Sequence, residues 1–358
     1  MNNIRQCTLV SSFQTFKEEI MKMKSPSCAK SFIISVVSLC LITFLVCPVN
    51  AEDYPSKPFD FICEFSPGGT SDLQARVFEE FWKDTFGVDM KVEYVTGAGG
   101  QVGWDTLAKR DPEGYTVAGP HLPHCIMQPI FRDTAYTTQD IVDGAIAQLV
   151  TDPQMITVRN DSEYENINEL IKAAKENPGS LTAAVVGKYT GDWLGLKLFE
   201  YATDTEFATV IFPGSKKSVA ALLGGHVDFM LGNVGDIKTL GPENIRTLLV
   251  GAKKRPDVIE QYVDQIGAPT AKEKGIDWYA AIHRGLGTVP GTSQKRIDYL
   301  RDKIWNIINK KEYKEAMLDA GLPMNNKTGE EWAEFIKERQ KKVISVLKEF
   351  GYVEEVNG

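Results

Sequence analysis

A short run of alternating apolar residues that stops at glycine and restarts as a helix recurs along this chain. That recurrence restricts the fold more than any composition figure. In its first instance Phe59, Phe61, Cys63 and Phe65 alternate as in a half-buried strand. Phe65-Ser66-Pro67-Gly68-Gly69-Thr70-Ser71-Asp72 then turns the chain, and Leu73, Val77, Phe78, Phe81, Trp82 and Phe86 follow at helical spacing. Thr70 or Ser71 is the expected N-cap. Glycines in such a turn let backbone N–H groups face a ligand, and the helix start adds a partial positive charge. The combination is an anion site that needs no lysine or arginine. A second loop, Gly97-Ala98-Gly99-Gly100-Gln101-Val102-Gly103, follows the alternating Met90, Val92 and Tyr94. Two such loops would grip the two oxygens of one carboxylate. Both read equally well as tight strand-to-helix turns.

The same pattern continues. Tyr115 to Ala118 is a short strand announced by Asp111-Pro112-Glu113-Gly114 and followed by the breaker-rich Gly119-Pro120-His121-Leu122-Pro123-His124. Strands are expected at Ile146 to Val150 and Met155 to Val158. Asn166 caps a helix whose buried stripe is Ile167, Leu170, Ile171 and Ala174. Three more strands lead into turns: Leu181 to Val186 into Gly187-Lys188-Tyr189-Thr190-Gly191-Asp192, Thr209 to Phe212 into Pro213-Gly214-Ser215, and Val227 to Leu231 into Gly232-Asn233. After a strand at Ile245 to Val250, long helices end the chain. The alternation predicts an α/β fold with largely parallel sheets, and 358 residues suffice for two domains.

The first 51 residues stand apart. Lys22, Lys24 and Lys30 precede an uncharged run from Ser31 to Val46, and Val49-Asn50-Ala51 has the form of a small-residue cleavage site. This is the pattern of a secretory signal peptide, with an apolar run of about 15 residues, short for a membrane span of roughly 20. Met21 and Met23 are alternative starts. Removing the leader takes five basic and two acidic residues and moves the formal net charge from −8 to −11. Such a charge argues against nucleic acid or an anionic membrane as partner, not against one small anion. Four of six cysteines leave with the leader; Cys63 and Cys125 remain, as a disulfide in an oxidising compartment or as buried small hydrophobes.

Chemistry is sparse. Gly97-x-Gly99-x-x-x-Gly103 misses the dinucleotide fingerprint by one residue, and neither a P-loop nor a nucleophile elbow is present. No cysteine spacing suits a metal. His121 and His124 are separated by Pro123, which breaks any shared helix face, so they read as one pocket-lining and one structural histidine. His226 in its Gly224-Gly225 turn reads as solvated. No catalytic residue, cofactor or metal is expected.

The loops together resemble a known family. Tyr54-Pro55-Ser56-Lys57-Pro58 with the Phe65–Arg76 turn looks like the opening of the substrate-binding proteins of tripartite tricarboxylate transporters, the Bug or TctC family. Gly97–Gly103 with Pro112-Glu113-Gly114-Tyr115-Thr116, Leu222–Asp228, and Arg284-Gly285 before Val289-Pro290-Gly291-Thr292 are similar to its later signatures, in the family's order from Tyr54 to the C-terminus. The resemblance implies a two-lobed, type II periplasmic binding fold, each lobe a mixed, mostly parallel sheet flanked by helices. It implies lobe 1 over 52–149, lobe 2 over 150–250, and a return to lobe 1 over 251–358. It implies a monomeric, non-enzymatic receptor, exported with cleavage near Ala51, that delivers a small di- or tricarboxylate to a membrane permease. A ligand-presenting partner of a sensor kinase is an alternative, as is an aromatic acid or sulfonate as ligand, suggested by Tyr189, Trp193 and Phe212.

The implied ligand-binding residues are Ser66, Pro67, Gly68, Gly69, Thr70, Ser71 and Asp72 of the first loop and Gly97, Ala98, Gly99, Gly100 and Gln101 of the second. His121 adds to them, with Lys188, Tyr189, Thr190, Phe212 and Asn233 from the other lobe. The second-lobe loops depart from the family's usual residues, so the general ligand class carries over better than the specific ligand. Lys188 is expected either to meet a distal anion or to be a solvated surface lysine.

Overall fold

The structure is a computed structural model that describes residues 54–236, 241–252 and 267–354. The expected leader, 1–51, lies outside the described residues. The first strand–turn–helix unit is β1 (Phe59–Cys63) and α1 (Thr70–Phe86). Next come β2 (Met90–Tyr94), α2 (Gln101–Ala108), β3 (Thr116–Ala118), β4 (His121–Leu122), α3 (His124–Phe131), α4 (Thr138–Asp143) and β5 (Ala145–Pro153). A second series follows: β6 (Met155–Arg159), α5 (Ile167–Glu176), β7 (Thr182–Val186), α6 (Gly191–Thr203), β8 (Ala208–Phe212), α7 (Ser215–Leu223), β9 (Phe229–Gly232) and β10 (Ile245–Val250). The chain then gives β11 (Ala281–Thr288), α8 (Gln294–Ile308), α9 (Lys311–Asp319), β12 (Met324–Lys327) and α10 (Gly329–Glu349).

Two sheets result. The first runs β12-β5-β11-β3-β1-β2, with β4 paired to β11; the second runs β10-β6-β9-β7-β8. Each is mixed, and the parallel part is three strands wide: β3-β1-β2 in one, β9-β7-β8 in the other. The helix crossovers that enforce parallel pairing lie only between those strands. β11 returns from the second sheet and runs antiparallel to β3, β4 and β5, so it closes the first sheet against the direction of its neighbours.

Burial follows the sequence pattern. Phe59, Phe61, Cys63, Phe78 and Trp82 turn into the first core, and Ile297, Leu300, Ile304 and Ile307 supply one buried stripe of α8. Trp332, Ile336, Val343 and Leu347 do the same for α10, under a cluster that includes Trp104 and Cys125. The second sheet has its own core around Ile156, Leu170, Phe199, Phe229 and Trp278. Trp104, Trp193 and Trp278 are all core residues. Cys63 and Cys125 are free thiols buried on separate elements, so the small-hydrophobe reading holds and the disulfide does not form. β5 is longer than expected: Thr151, Asp152 and Pro153 continue the strand opposite Ala281, Ile282 and His283. Gln154 alone separates β5 from β6, so the chain passes between sheets in one residue. None of the described helices is long and apolar enough to cross a membrane.

Candidate functional site

The start of α1 differs from the capping expected. Gly69 is the N-cap, with extended φ −96° and ψ 176°, and no side chain caps the helix. Thr70 and Ser71 sit inside the first turn, so their N–H groups have no side-chain acceptor. An uncapped helix start leaves donors for something else. The start of α7 is built alike: Gly214 is its N-cap and again no side chain caps it. α6, by contrast, is closed by the Thr190 hydroxyl, which accepts from the Trp193 N–H at 3.4 Å.

The two uncapped starts face one another across a cavity of about 130 Å³. Phe65, Ser66, Gly69, Thr70 and Ser71 line it from the first sheet, with His121, His124, Ile282 and Arg284. From the second sheet come Val186, Asp192, Asn233 and the Pro213–Lys217 stretch. The approach is close. A Cβ built on Gly214 would stand 3.7 Å from the Ser66 hydroxyl oxygen, and one on Gly68 would stand 3.9 Å from Lys216 Cδ.

The floor is built from buried polar groups. Burial, aided by Arg284, pushes His124 down to about 3 and His121 well below its usual value, so both imidazoles are neutral. His121 Nε2 lies 3.4 Å from Ser71 Oγ, and its Nδ1 has no partner. The Gly191 N–H donates to the His124 ring across the junction of the two sheets. Asp192 accepts from Gln154 Nε2 at 2.8 Å and from the Val186 N–H at 3.0 Å, and burial raises it to about 7. Asp236 accepts from the Asn233 N–H at 2.9 Å and is also raised by burial. Among the described residues no three His, Cys, Asp or Glu side chains form a metal-holding group.

The profile of the tripartite tricarboxylate transporter family receptor, TctC, matches residues 74–352. The chain belongs to this family. The BugT protein of Bordetella pertussis is 26% identical over 326 residues, spanning 89% of this chain and 97% of that protein. A TctC solute-binding protein from Polaromonas superposes with a TM-score of 0.61 at 25% identity, over 83% of this chain and 99% of its own. MatC of Rhodopseudomonas palustris, solved with bound malate, shares the fold with a TM-score of 0.72 at 21% identity, over 81% and 98% of the two chains. The protein is thus a solute-binding receptor, and the members of its family are periplasmic binding proteins rather than enzymes.

Within this TctC receptor the residues expected to bind ligand fall into two groups. Ser66, Gly69, Thr70, Ser71, His121 and Asn233 line the cavity. Pro67 and Gly68 shape the turn beside it, with the Gly68 N–H bonded to Asp72 Oδ2 at 2.8 Å. Asp72 also accepts from the Tyr94 hydroxyl and from Arg76, so its carboxylate is committed to the scaffold. The second glycine loop does not line the cavity. Gly99 packs against Thr190 and the Lys188 carbonyl, Gly100 against Trp104 and Phe65, and Gln101 reaches the Asp133 carbonyl. The backbone of Ala98 accepts from Arg132, and the side chain of Val102 fills the space beside Gly97.

Lys188, Tyr189 and Phe212 also lie off the cavity wall. Lys188 Nζ stands 4.8 Å above the Tyr189 ring, and Tyr189 stacks on Phe131 at 4.2 Å. Phe212 joins the second sheet's core. Reasoning from sequence missed Lys216, Lys217, Asp192, His124 and Arg284. The Pro213-Gly214-Ser215 turn was a legible signal for the two lysines, because it repeats the strand–glycine–helix grammar of the first loop.

Proposed function

We propose that this receptor captures a small organic acid with a carboxylate at each end and delivers it to the membrane subunits of a tripartite permease. The observation that carries the reading is the pair of uncapped helix starts opening on one cavity. Each start contributes about 0.3–1 kcal/mol in dipole terms, and each hydrogen bond to a charged group adds about 1.5–3 kcal/mol. The small cavity, far below the roughly 300–1,000 Å³ of pockets for drug-sized molecules, favours a short chain. The malate bound by MatC is such an acid. The aromatic reading has less support, since Tyr189 stacks on Phe131, Trp193 meets Tyr352 edge to face, and neither lines the cavity.

In this proposal the leader is cleaved near Ala51 and the mature chain acts as a monomer. The two sheets are the cores of two lobes that close on the ligand: the first keeps β5 through Pro153 and takes the chain back at β11, and the second begins at Met155 and keeps Trp278 in its core. The test uses residues 52–358, unfolded and refolded to strip any carried ligand, then melted against di- and tricarboxylates, aromatic acids, sulfonates and amino acids. A short dicarboxylate is expected to raise Tm. Stabilisation confined to an aromatic acid or a sulfonate overturns the ligand class, and silence from folded protein overturns the carboxylate reading itself.

A further inference from the structure

The sequence suggests an anion held by backbone alone, yet a guanidinium lies in the floor of the cavity. Arg284, on β11, is 5% exposed. Its Nη1 donates to Asp152 Oδ2 at 2.7 Å, and Asp152 is fully buried. Asp152 is in turn held by the Val234 N–H at 3.3 Å. The plane of the guanidinium is therefore fixed by a partner on the neighbouring strand. Its Nε is buried with no acceptor at all. A charged donor left unsatisfied in the interior costs more than the roughly 1–3 kcal/mol of a neutral one, so such a group calls for an explanation.

Register shows where the group sits. Arg284 pairs with His121 on β4, and His121 touches Ser71 in the first turn of α1. The α1 side chain of Gln74 reaches the Gly285 carbonyl at 3.5 Å. Arg284 is thus beside the uncapped helix start, on the same face of the cavity. The other titratable groups around it supply no competing acceptor. Asp192 and Asp236 accept from protein N–H groups, Asp152 is the pair already described, and His121 and His124 are neutral.

We infer that Arg284 is a ligand-contacting specificity residue: the cavity-lining edge of its guanidinium donates to a carboxylate oxygen of the ligand beside the α1 start, and Asp152 holds the guanidinium in the orientation that allows it. This rests on the carboxylate-receptor reading above and deepens it. Backbone N–H groups donate to a neutral carbonyl as they do to a carboxylate, only less strongly. An adjacent guanidinium separates the two further: its pair with Asp152 leaves other donors open, and a charge-assisted hydrogen bond to a carboxylate is about twice as strong as one to a neutral carbonyl. Arg284 therefore makes the site reject the amide of its own ligand.

The test is calorimetric titration of refolded 52–358 with a dicarboxylate such as succinate, and with its monoamide and diamide. The wild-type chain is expected to bind the dicarboxylate and to lose the diamide by at least about a hundredfold. Arg284→Lys keeps the charge and a partner for Asp152 but lacks the guanidinium fork that serves Asp152 and the ligand together; it is expected to lose about tenfold or more. Because removing Arg284 alone strands Asp152, the second variant is Arg284→Met with Asp152→Asn, which removes both charges at near-constant volume. It is expected to fold, by circular dichroism, and to bind acid and diamide within about tenfold of each other. A folded double variant that keeps the wild-type preference for the acid overturns the inference and leaves the receptor reading standing. Failure of the wild type to bind any acid in the panel overturns both.

Discussion

Glu64, one residue beyond β1, accepts from Trp104 Nε1 at 3.1 Å and from the Gly119 N–H at 2.9 Å, while its second oxygen has no partner. Burial raises this carboxyl from 4.5 to about 8. A folded value above the unfolded one means the native state holds the proton longer. The stability it contributes is full below about pH 4.5 and is lost as pH rises toward about 8. Glu64→Gln keeps an acceptor for Trp104 and Gly119 and removes the titration. Its Tm advantage over the wild type is expected to grow from pH 5 to pH 8; a constant gap across that range argues that the carboxyl ionises freely. At the same scale, Lys188→Ala is expected to change ligand affinity by no more than about 0.5 kcal/mol, because Lys188 leans on Tyr189 off the cavity wall. Titration calorimetry on both proteins checks this. Sequence leaves Lys188 open between a distal-anion partner and a solvated lysine, and does not single out Lys216 and Lys217, which follow another strand and do line the cavity. The difference is which side of each turn the helix start presents, and that depends on tertiary placement.

At the scale of elements, the two glycine loops divide the labour that sequence assigned to both. The first opens a helix start on the cavity; the second is a spacer between lobes, with Gly99 at φ +70° lying against Thr190 and the Lys188 carbonyl. Nothing in the glycine count separates these roles, since both loops join a strand to a helix. Gly99→Ala would place a Cβ 2.8 Å from Thr190 Cγ2, whereas Gly87, at φ +73°, has nothing within 4 Å. Gly99→Ala and Gly87→Ala each carry about 1–2 kcal/mol of backbone strain, and the close contact at Gly99 adds to it, so Gly99→Ala should lower Tm the more. Only Gly99→Ala is expected to weaken ligand binding as well, read as the ratio of the two dissociation constants. Equal affinities would show that the loop contact plays no part in holding the ligand. The strand periodicity of β1, β2 and β7 and the Asn166 cap of α5 were legible in advance. The antiparallel insertion of β11 was not, because an apolar run carries no direction.

For the whole molecule, the order of motifs along the chain was enough to indicate two sheets and a return, because each signature occupies a fixed place in the path. The closing elements were harder to read. α10 packs beneath the first sheet, yet just past its end Tyr352 meets Trp193 at 5.1 Å, and Tyr201 on α6 donates to Glu349 at 2.7 Å. These contacts tie the end of α10 and the residues just after it to a helix of the second sheet. A ligand at a hundred times its Kd adds about 2.7 kcal/mol to the wild-type chain. Replacing Tyr352 with Ala is expected to change the apparent Kd while leaving the cavity's preference for acid over amide intact. Differential scanning fluorimetry and titration with both compounds test this, and a lost preference would mean the C-terminal contacts shape the cavity itself.

The two buried thiols have a practical consequence. From Glu52 onward Cys63 and Cys125 are the only cysteines in the sequence. Burial pushes Cys63 up to about 12 and Cys125 well above the ordinary thiol range. Neither offers a thiolate to an alkylating dye at neutral pH. A cysteine introduced at an exposed site such as Val102 on α2 or Leu223 on α7 would therefore take a fluorophore alone. The unaltered scaffold can thus be converted into an optical reporter of its own metabolite without first deleting a native residue.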